Sequence, residues 1–331
     1  MTLRLWLSGL RPKTLPASIA PVLVGAALAS RVINQLGTCI EIYPEPAQCT
    51  ANRAIVEPLQ THFWPVAILC MLVALLLQIA VNFANDYSDG VRGTDEGRDT
   101  AESNTAAALE PGSRGTKPQR LVASGVPPKH VLIAAGIAAA LAAICGLAAV
   151  LISGAWWLLA VGALSLIAGW FYTGGKHPYG YAGLGEIAVF LFFGLAAVLG
   201  TEYALAGTVD ALGVAAAICC GLNAVMLLMV NNLRDIESDG DHGKRTLAVR
   251  MGERRATILL MVCCIAAWAL GLFLCMFLWM PWGGILLLSG IAVPIRMVSS
   301  VPKHQFRTAL SDAGFQTLLF AVVAAVSAVI A

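Results

Sequence analysis

The chain is short of charge. Lys, Arg, Asp and Glu together make up 12% of its 331 residues, about half of the roughly 25% usual in soluble domains. With 58% hydrophobic residues and a mean hydropathy of +0.78, that shortage excludes a water-soluble globule, which could not hide so much apolar surface. Histidine is scarce as well: His62, His130, His177, His242 and His304 stand singly along the chain, and nothing in their spacing suggests a zinc site. A cleavable signal peptide is also missing. The first apolar run is followed by Arg31-Val32-Ile33-Asn34 and not by a small-residue cleavage site, so it reads as a retained first helix. The net charge of +2 decides little, because here the side on which charge lies matters more than its sum.

What the chain does have is long apolar runs. Stretches near the length that crosses a hydrocarbon core, about 20 residues for about 30 Å, fall near 15–30, 64–84, 130–150, 156–173, 184–203, 211–232, 257–278, 281–298 and 312–331. They predict an all-α polytopic membrane protein, one integral domain over 1–331 with about nine transmembrane helices. With the N-terminus placed inside, every one of the 21 basic residues except Arg31 and Arg53 falls on the inner side. The positive-inside rule then makes that side cytoplasmic and puts the C-terminus outside. Three long loops are expected: 31–63 outside, as an insertion, and 85–129 and 233–256 inside. Of the nine cysteines, seven lie in apolar spans and read as packing residues. Cys39 and Cys49 share the outer loop, where an oxidising exterior leaves both a disulfide and free thiols open.

The two inner loops begin alike. Asn82-Phe83-Ala84-Asn85-Asp86-Tyr87-Ser88-Asp89 closes the second span, and Asn231-Asn232-Leu233-Arg234-Asp235-Ile236-Glu237-Ser238-Asp239 closes the sixth. Four spans apart, they emerge on the same side, which suggests a parallel pseudo-repeat with a site between the halves. Asn85 and Asp89 stand one helical turn apart, and Asn231, Asp235 and Asp239 form a stripe four apart. Gly90 and Gly93 let the backbone turn so that Asp95 can converge on the same point. Carboxylates this close repel one another unless a hard cation lies among them, and Mg²⁺ is characteristically held by a few carboxylates, water and substrate phosphates.

Either run alone reads best as a solvated helix end; two on one side, among bases, do not. Arg92, Arg98, Arg114, Lys117, Arg120, Arg234, Lys244 and Arg245 share those loops. Acids for metal beside bases for phosphate describe a diphosphate site. Between the loops lies the run from Tyr172 to Tyr181, which holds Gly174-Gly175-Lys176. There Lys176 would neutralise leaving-group oxygen and Tyr172 would donate a hydrogen bond or present its ring to a cation. The plainer reading is a positive-inside lysine beside interfacial tyrosines.

On these motifs, with Arg11-Pro12-Lys13-Thr14-Leu15-Pro16-Ala17-Ser18, Arg120-Leu121-Val122-Ala123-Ser124-Gly125 and Gly243-Lys244-Arg245-Thr246-Leu247-Ala248-Val249-Arg250, the chain resembles the UbiA superfamily of intramembrane aromatic prenyltransferases, in its menaquinone branch. The resemblance covers most of the chain and implies nine helices around a central cavity. It also implies Mg²⁺ bound to a polyprenyl diphosphate by Asn85, Asp89 and Asp95 with Asn231, Asp235 and Asp239. The carboxylates Asp89, Asp95, Asp235 and Asp239 would be the metal-holding acids, and Asp89 and Asp235 would be catalytic with Tyr172 and Lys176. Arg92, Lys117, Arg120, Arg234, Lys244 and Arg245 would receive the diphosphate. The implied acceptor is 1,4-dihydroxy-2-naphthoate, prenylated with loss of CO₂ and pyrophosphate to give demethylmenaquinone, while the prenyl tail lies in the lipid bilayer. No nucleic acid is implied. In the superfamily an acid often stands four residues after the position of Asp89; here that place is Gly93 and the acid is Asp95. Two other readings stay open: the same apparatus with 4-hydroxybenzoate, homogentisate or a chlorophyll-type acceptor, and an ion-coupled transporter. Transporters tend to place acids at the bilayer midplane, whereas these stand at span ends.

Overall fold

The computed structural model describes residues 3–42, 46–93 and 120–330, with side chains described outside 38–53. Asp95, Arg98, Arg114 and Lys117 therefore lie outside the described residues, as do the side chains of Cys39 and Cys49. No strand occurs among the described residues. The helices are α1 (Leu3–Gly9), α2 (Pro16–Ile42), α3 (Pro46–Val91), α4 (Pro128–Ser153), α5 (Leu158–Thr173), α6 (Gly185–Ala206), α7 (Ala211–Arg234), α8 (Ile236–Asp241), α9 (Leu247–Met251), α10 (Glu253–Leu278), α11 (Trp282–Leu288), α12 (Ala292–Ser300) and α13 (Phe306–Ile330).

Among the described residues eight segments are long and apolar enough to cross a membrane, α11 and α12 together forming one of them, and α5 is a shorter apolar helix. These are the nine runs of the sequence. Their surface confirms the solvent: on α4 the exposed side chains are Ile133, Ile137, Leu141, Ile144, Leu147 and Leu151, three or four apart and hence one stripe. α10 likewise exposes Ile258, Val262, Ile265, Phe273 and Phe277. Such stripes are untenable in water and ordinary against lipid. The chain is a multi-pass membrane protein.

One expectation changes. Residues 31–63 are not a long irregular loop: α2 continues to Ile42, and α3 starts at Pro46 and runs 46 residues to Val91. At 1.5 Å per residue α3 is about 69 Å long, more than twice a hydrocarbon core. Hydropathy shows where a helix meets lipid and not where it ends, because polar residues such as Gln, Glu and Arg propagate a helix well.

α7 runs through the middle and is buried along most of its length. It packs on α10, on α13, on α2 and on α6, while α2 lies against α13, α3 and α6. The first and last spans thus meet. One apolar core joins α2, α6, α7, α10, α11 and α13, with Leu274, Cys275 and Ala321 fully buried. A second joins the inner halves of α7 and α10 to α12 and α13 around Met226, Met229 and Leu260. α3 packs most extensively on α4, and the space between this pair and α7 is left for a cavity.

Candidate active site

A cavity of about 750 Å³ opens between α2, α3, α4, α5, α6 and α7. Its deep part is lined by Val73, Ala74, Gly146, Leu158, Gly162, Ala197 and Gly200 and is apolar; its polar mouth holds both acid-rich motifs. α3 stays helical through the first motif, which puts Asn85 and Asp89 on the cavity wall, buried. Asp86, next in chain and so turned about 100° away, instead accepts the Leu121 backbone N–H at 2.8 Å. That bond ties the 120–126 turn, buried at Arg120, Leu121 and Val126, to α3. Gly93, at φ 72°, ends the helix in the left-handed conformation that glycine tolerates.

The second motif arrives on α7 and α8. Asn231, Asn232, Arg234, Asp235 and Asp239 all line the cavity. Arg234 grips Asp235 with both prongs, Nε to Oδ1 at 2.9 Å and NH2 to Oδ2 at 2.8 Å, a strong geometry for carboxylate recognition. Lys244 Nζ lies 3.7 Å from Asp239 Oδ1. Tyr181 joins the halves: its hydroxyl donates to Asp89, and its ring lies 5.1 Å from the Arg92 guanidinium carbon and 5.2 Å from Lys244 Nζ, within cation–π range.

Arg120 and Lys244 also reach the cavity wall. Arg92 does not: it is exposed and donates to the backbone oxygens of Thr173, at 2.8 Å, and Gly175. Lys176 and Arg245 are exposed as well and stand off the wall. Gly174 and Gly175 turn the chain after α5, so Lys176 is carried away from Tyr172 instead of one helical turn above it. Tyr172 itself is on the wall, and Tyr179, whose hydroxyl donates to Ala168 O at 2.9 Å, has its pKa pushed up to about 12 by burial.

Two cavity residues entered the sequence reading as basic charge and as part of a family motif, without a role at the site. Arg11 and Lys13 both line the mouth. Arg11 adopts φ 51°, a conformation rare for a residue with a Cβ, and one of its guanidinium nitrogens is buried with no partner among the described residues. Burial, then the nearby charges of Arg307 and Arg234, hold the Lys13 pKa below its ordinary value. Asn82 fastens this segment by donating to Leu10 O at 2.9 Å, with Gln78 donating to Asn82 at 3.1 Å. The sequence signal was an Arg-Pro-Lys run directly ahead of a span, where positive-inside charge and ligand-binding charge look the same.

Oxygen donors and cations thus share one end of a largely apolar cavity, an arrangement suited to a lipid diphosphate. The UbiA prenyltransferase family model matches residues 49–329. The chain belongs to the UbiA prenyltransferase family. Curated relatives agree along most of its length. It is 43% identical over 77% of this chain and 72% of the relative to the 1,4-dihydroxy-2-naphthoate octaprenyltransferase of Mycobacterium tuberculosis. The enzyme of the same name from Escherichia coli is 38% identical over 76% of this chain and 70% of its own. A solved UbiA homolog from Archaeoglobus fulgidus, bound to DMAPP and Mg²⁺, shares the fold with a TM-score of 0.55 at 13% identity, covering 98% of this chain and 99% of that one. As a UbiA-family protein the chain carries its acids at span ends, which answers the transporter reading.

Proposed function

We propose that this UbiA-family prenyltransferase transfers a polyprenyl group from polyprenyl diphosphate to 1,4-dihydroxy-2-naphthoate, with release of pyrophosphate and CO₂. The observation that carries the transfer is the convergence of both acid-rich motifs with Arg11, Lys13, Arg120, Arg234 and Lys244 at the mouth of one apolar cavity. The acceptor is supported by the relatives, which bear that activity in their names.

The residues suit Mg²⁺. Asn85, Asp89, Asn231, Asp235 and Asp239 offer only oxygen, and among the described residues no three acids, cysteines or histidines close on a single point. Asp89 from the first motif and Asp235 and Asp239 from the second are the acids assigned to the metal, held jointly with the diphosphate and not as a preformed three-acid cluster; Asp95, assigned with them, lies outside the described residues, and an ion there would supply positive charge against the departing pyrophosphate. A solved family member bound to DMAPP and Mg²⁺ supports this.

Arg11, Lys13, Arg120 and Lys244 are the charges that receive the diphosphate, in a site whose apolar walls strengthen each interaction. The C1–O bond of the donor breaks with the electron pair leaving on pyrophosphate. The ring carbon bearing the carboxylate attacks C1, and loss of CO₂ returns an electron pair to the ring, giving the quinol form of demethylmenaquinone. Tyr172, on the wall between mouth and tail, lies where its ring faces the allylic cation. The basic bias of this end of the molecule supports a cytoplasmic location for it and for the N-terminus.

Incubation of purified protein with Mg²⁺, a polyprenyl diphosphate and competing aromatic acids tests the reading. One CO₂ per prenyl group transferred is expected; prenylation of 4-hydroxybenzoate or homogentisate in preference, without CO₂, would replace the acceptor. A second expectation concerns pH. Lys13 binds anions only when protonated, and its pKa is lowered, so diphosphate affinity should fall as pH rises through that pKa. Binding titrations across alkaline pH should show this decline in the native protein and a flatter profile in Lys13→Met.

A further inference from the structure

Glu186 stands in the first turn of α6, buried at 5% exposure. Its Oε1 accepts from Asn232 Nδ2 at 2.8 Å, and its Oε2 is buried with no hydrogen-bond partner among the described residues. A half-satisfied buried carboxylate is costly, and a neutral side chain would join α6 to α7 at lower cost. Its effect on Asn232 is directional. A carboxylate only accepts, so it takes the amide's NH₂ end and leaves Oδ1 to point elsewhere. Asn232 lines the cavity, and its hydrogen bond among the described residues is the one its Nδ2 donates to Glu186, which leaves Oδ1 available to a ligand. One residue on from Asn231, it is turned about 100° from the Asn231–Asp235 stripe. Tyr172 lines the same cavity and stands beside the start of α6: a Cβ on Gly185, the residue before Glu186, would lie 3.3 Å from the Tyr172 hydroxyl.

We propose that Glu186 is a positioning residue that locks the Asn232 amide with its carbonyl oxygen toward the cavity, where it and the Tyr172 hydroxyl together receive a phenolic hydroxyl of the aromatic acceptor. A fixed acceptor beside a rotatable hydroxyl matches a phenol, which donates and accepts. An ether at that position leaves Oδ1 unpaired, and sites built to bond a hydroxyl reject analogues lacking it. The inference rests on the dihydroxynaphthoate reading above.

The test compares 1,4-dihydroxy-2-naphthoate with its 1-methyl and 4-methyl ethers, at fixed Mg²⁺ and polyprenyl diphosphate. The native enzyme should use one ether at least tenfold less well in kcat/KM, as expected where a bonded hydroxyl is lost. Glu186→Gln, free to present either end of Asn232, should raise the acceptor KM about tenfold, narrow the ether discrimination, and leave kcat and the diphosphate KM within about twofold. Adding Asn232→Asp to Glu186→Gln should recover the acceptor KM, because the new amide then donates to the new carboxylate and an oxygen again faces the cavity. Acceptor binding measured without diphosphate should rank the proteins the same way. Equal use of both ethers by the native enzyme overturns the proposal without any variant. So does an acceptor KM that rises only together with the diphosphate KM, or one that the double variant does not recover. If the native enzyme prenylates another aromatic acid and not this one, the acceptor reading falls, and this inference with it.

Discussion

Asp89→Ala and Asp235→Ala should each reduce pyrophosphate release by on the order of a thousandfold, the scale on which a charge-stabilising group acts in a dry site, while leaving a folded membrane protein. Asp89 is 2% exposed and bonded to Tyr181, so its loss also loosens the link between the two halves. Asp235 is gripped at both oxygens by Arg234, and Ala there leaves a buried guanidinium without that carboxylate, a change that destabilises in its own right. Asp235→Asn narrows the comparison: it keeps the shape and one acceptor for Arg234 and removes the anionic ligand. Monodisperse protein in detergent with no turnover in all three variants is the expected result. Turnover near the native rate in any of them removes that acid from the metal set.

Gly194→Val should prevent stable folding. Gly194 lies in the wound-out stretch of α6, Phe190–Ala196, where a Cβ would stand 2.6 Å from Gly221 Cα and 2.7 Å from Ala217 O. These are backbone atoms of α7 and cannot turn aside. From the other side, a Cβ on Gly221 would meet the Phe190 ring at 2.6 Å. Small residues let helices approach this closely in a membrane, where dispersion between backbones replaces the hydrophobic drive. A branched side chain would force α6 from α7 and open the joint that carries Glu186 and Asn232. A loss of several kcal/mol, at or beyond the upper range for overpacking, should appear as aggregation on extraction or a much lower unfolding temperature. Gly136→Ala is the control: a Cβ there meets nothing within 4 Å, and gains roughly 0.5–1 kcal/mol of helix propensity.

Much of the site could be read along the chain, because helical spacing projects four-apart residues onto one face whatever the surroundings. Asn85 with Asp89, and Asn231 with Asp235, are such pairs, and both are on the cavity wall. Residues beyond helix ends were less legible. Lys176 follows two glycines, one at φ 74°, and those dihedrals, invisible in the sequence, aim it away from the cavity. Arg92 lies past the end of α3 and is occupied by the backbone of Thr173 and Gly175. Tyr181, Arg11 and Glu186 could be placed only by contacts between distant segments.

The sequence by itself determined that this is a membrane protein with about nine apolar spans, and that its basic residues are concentrated in alternate connections between them. Hydropathy and charge act residue by residue against a bilayer and need no knowledge of neighbours. It also determined which acids share a helical face, since that follows from 3.6 residues per turn. Only the tertiary structure decided that the two acid-rich ends meet, that Arg11 and Lys13 join them, and that the outer segment 31–63 prolongs helices. It alone set the Asn232 amide by a carboxylate 46 residues away in the chain. Those outcomes depend on which faces of the helices pack together and how closely their backbones approach, properties of pairs of segments that no single segment carries.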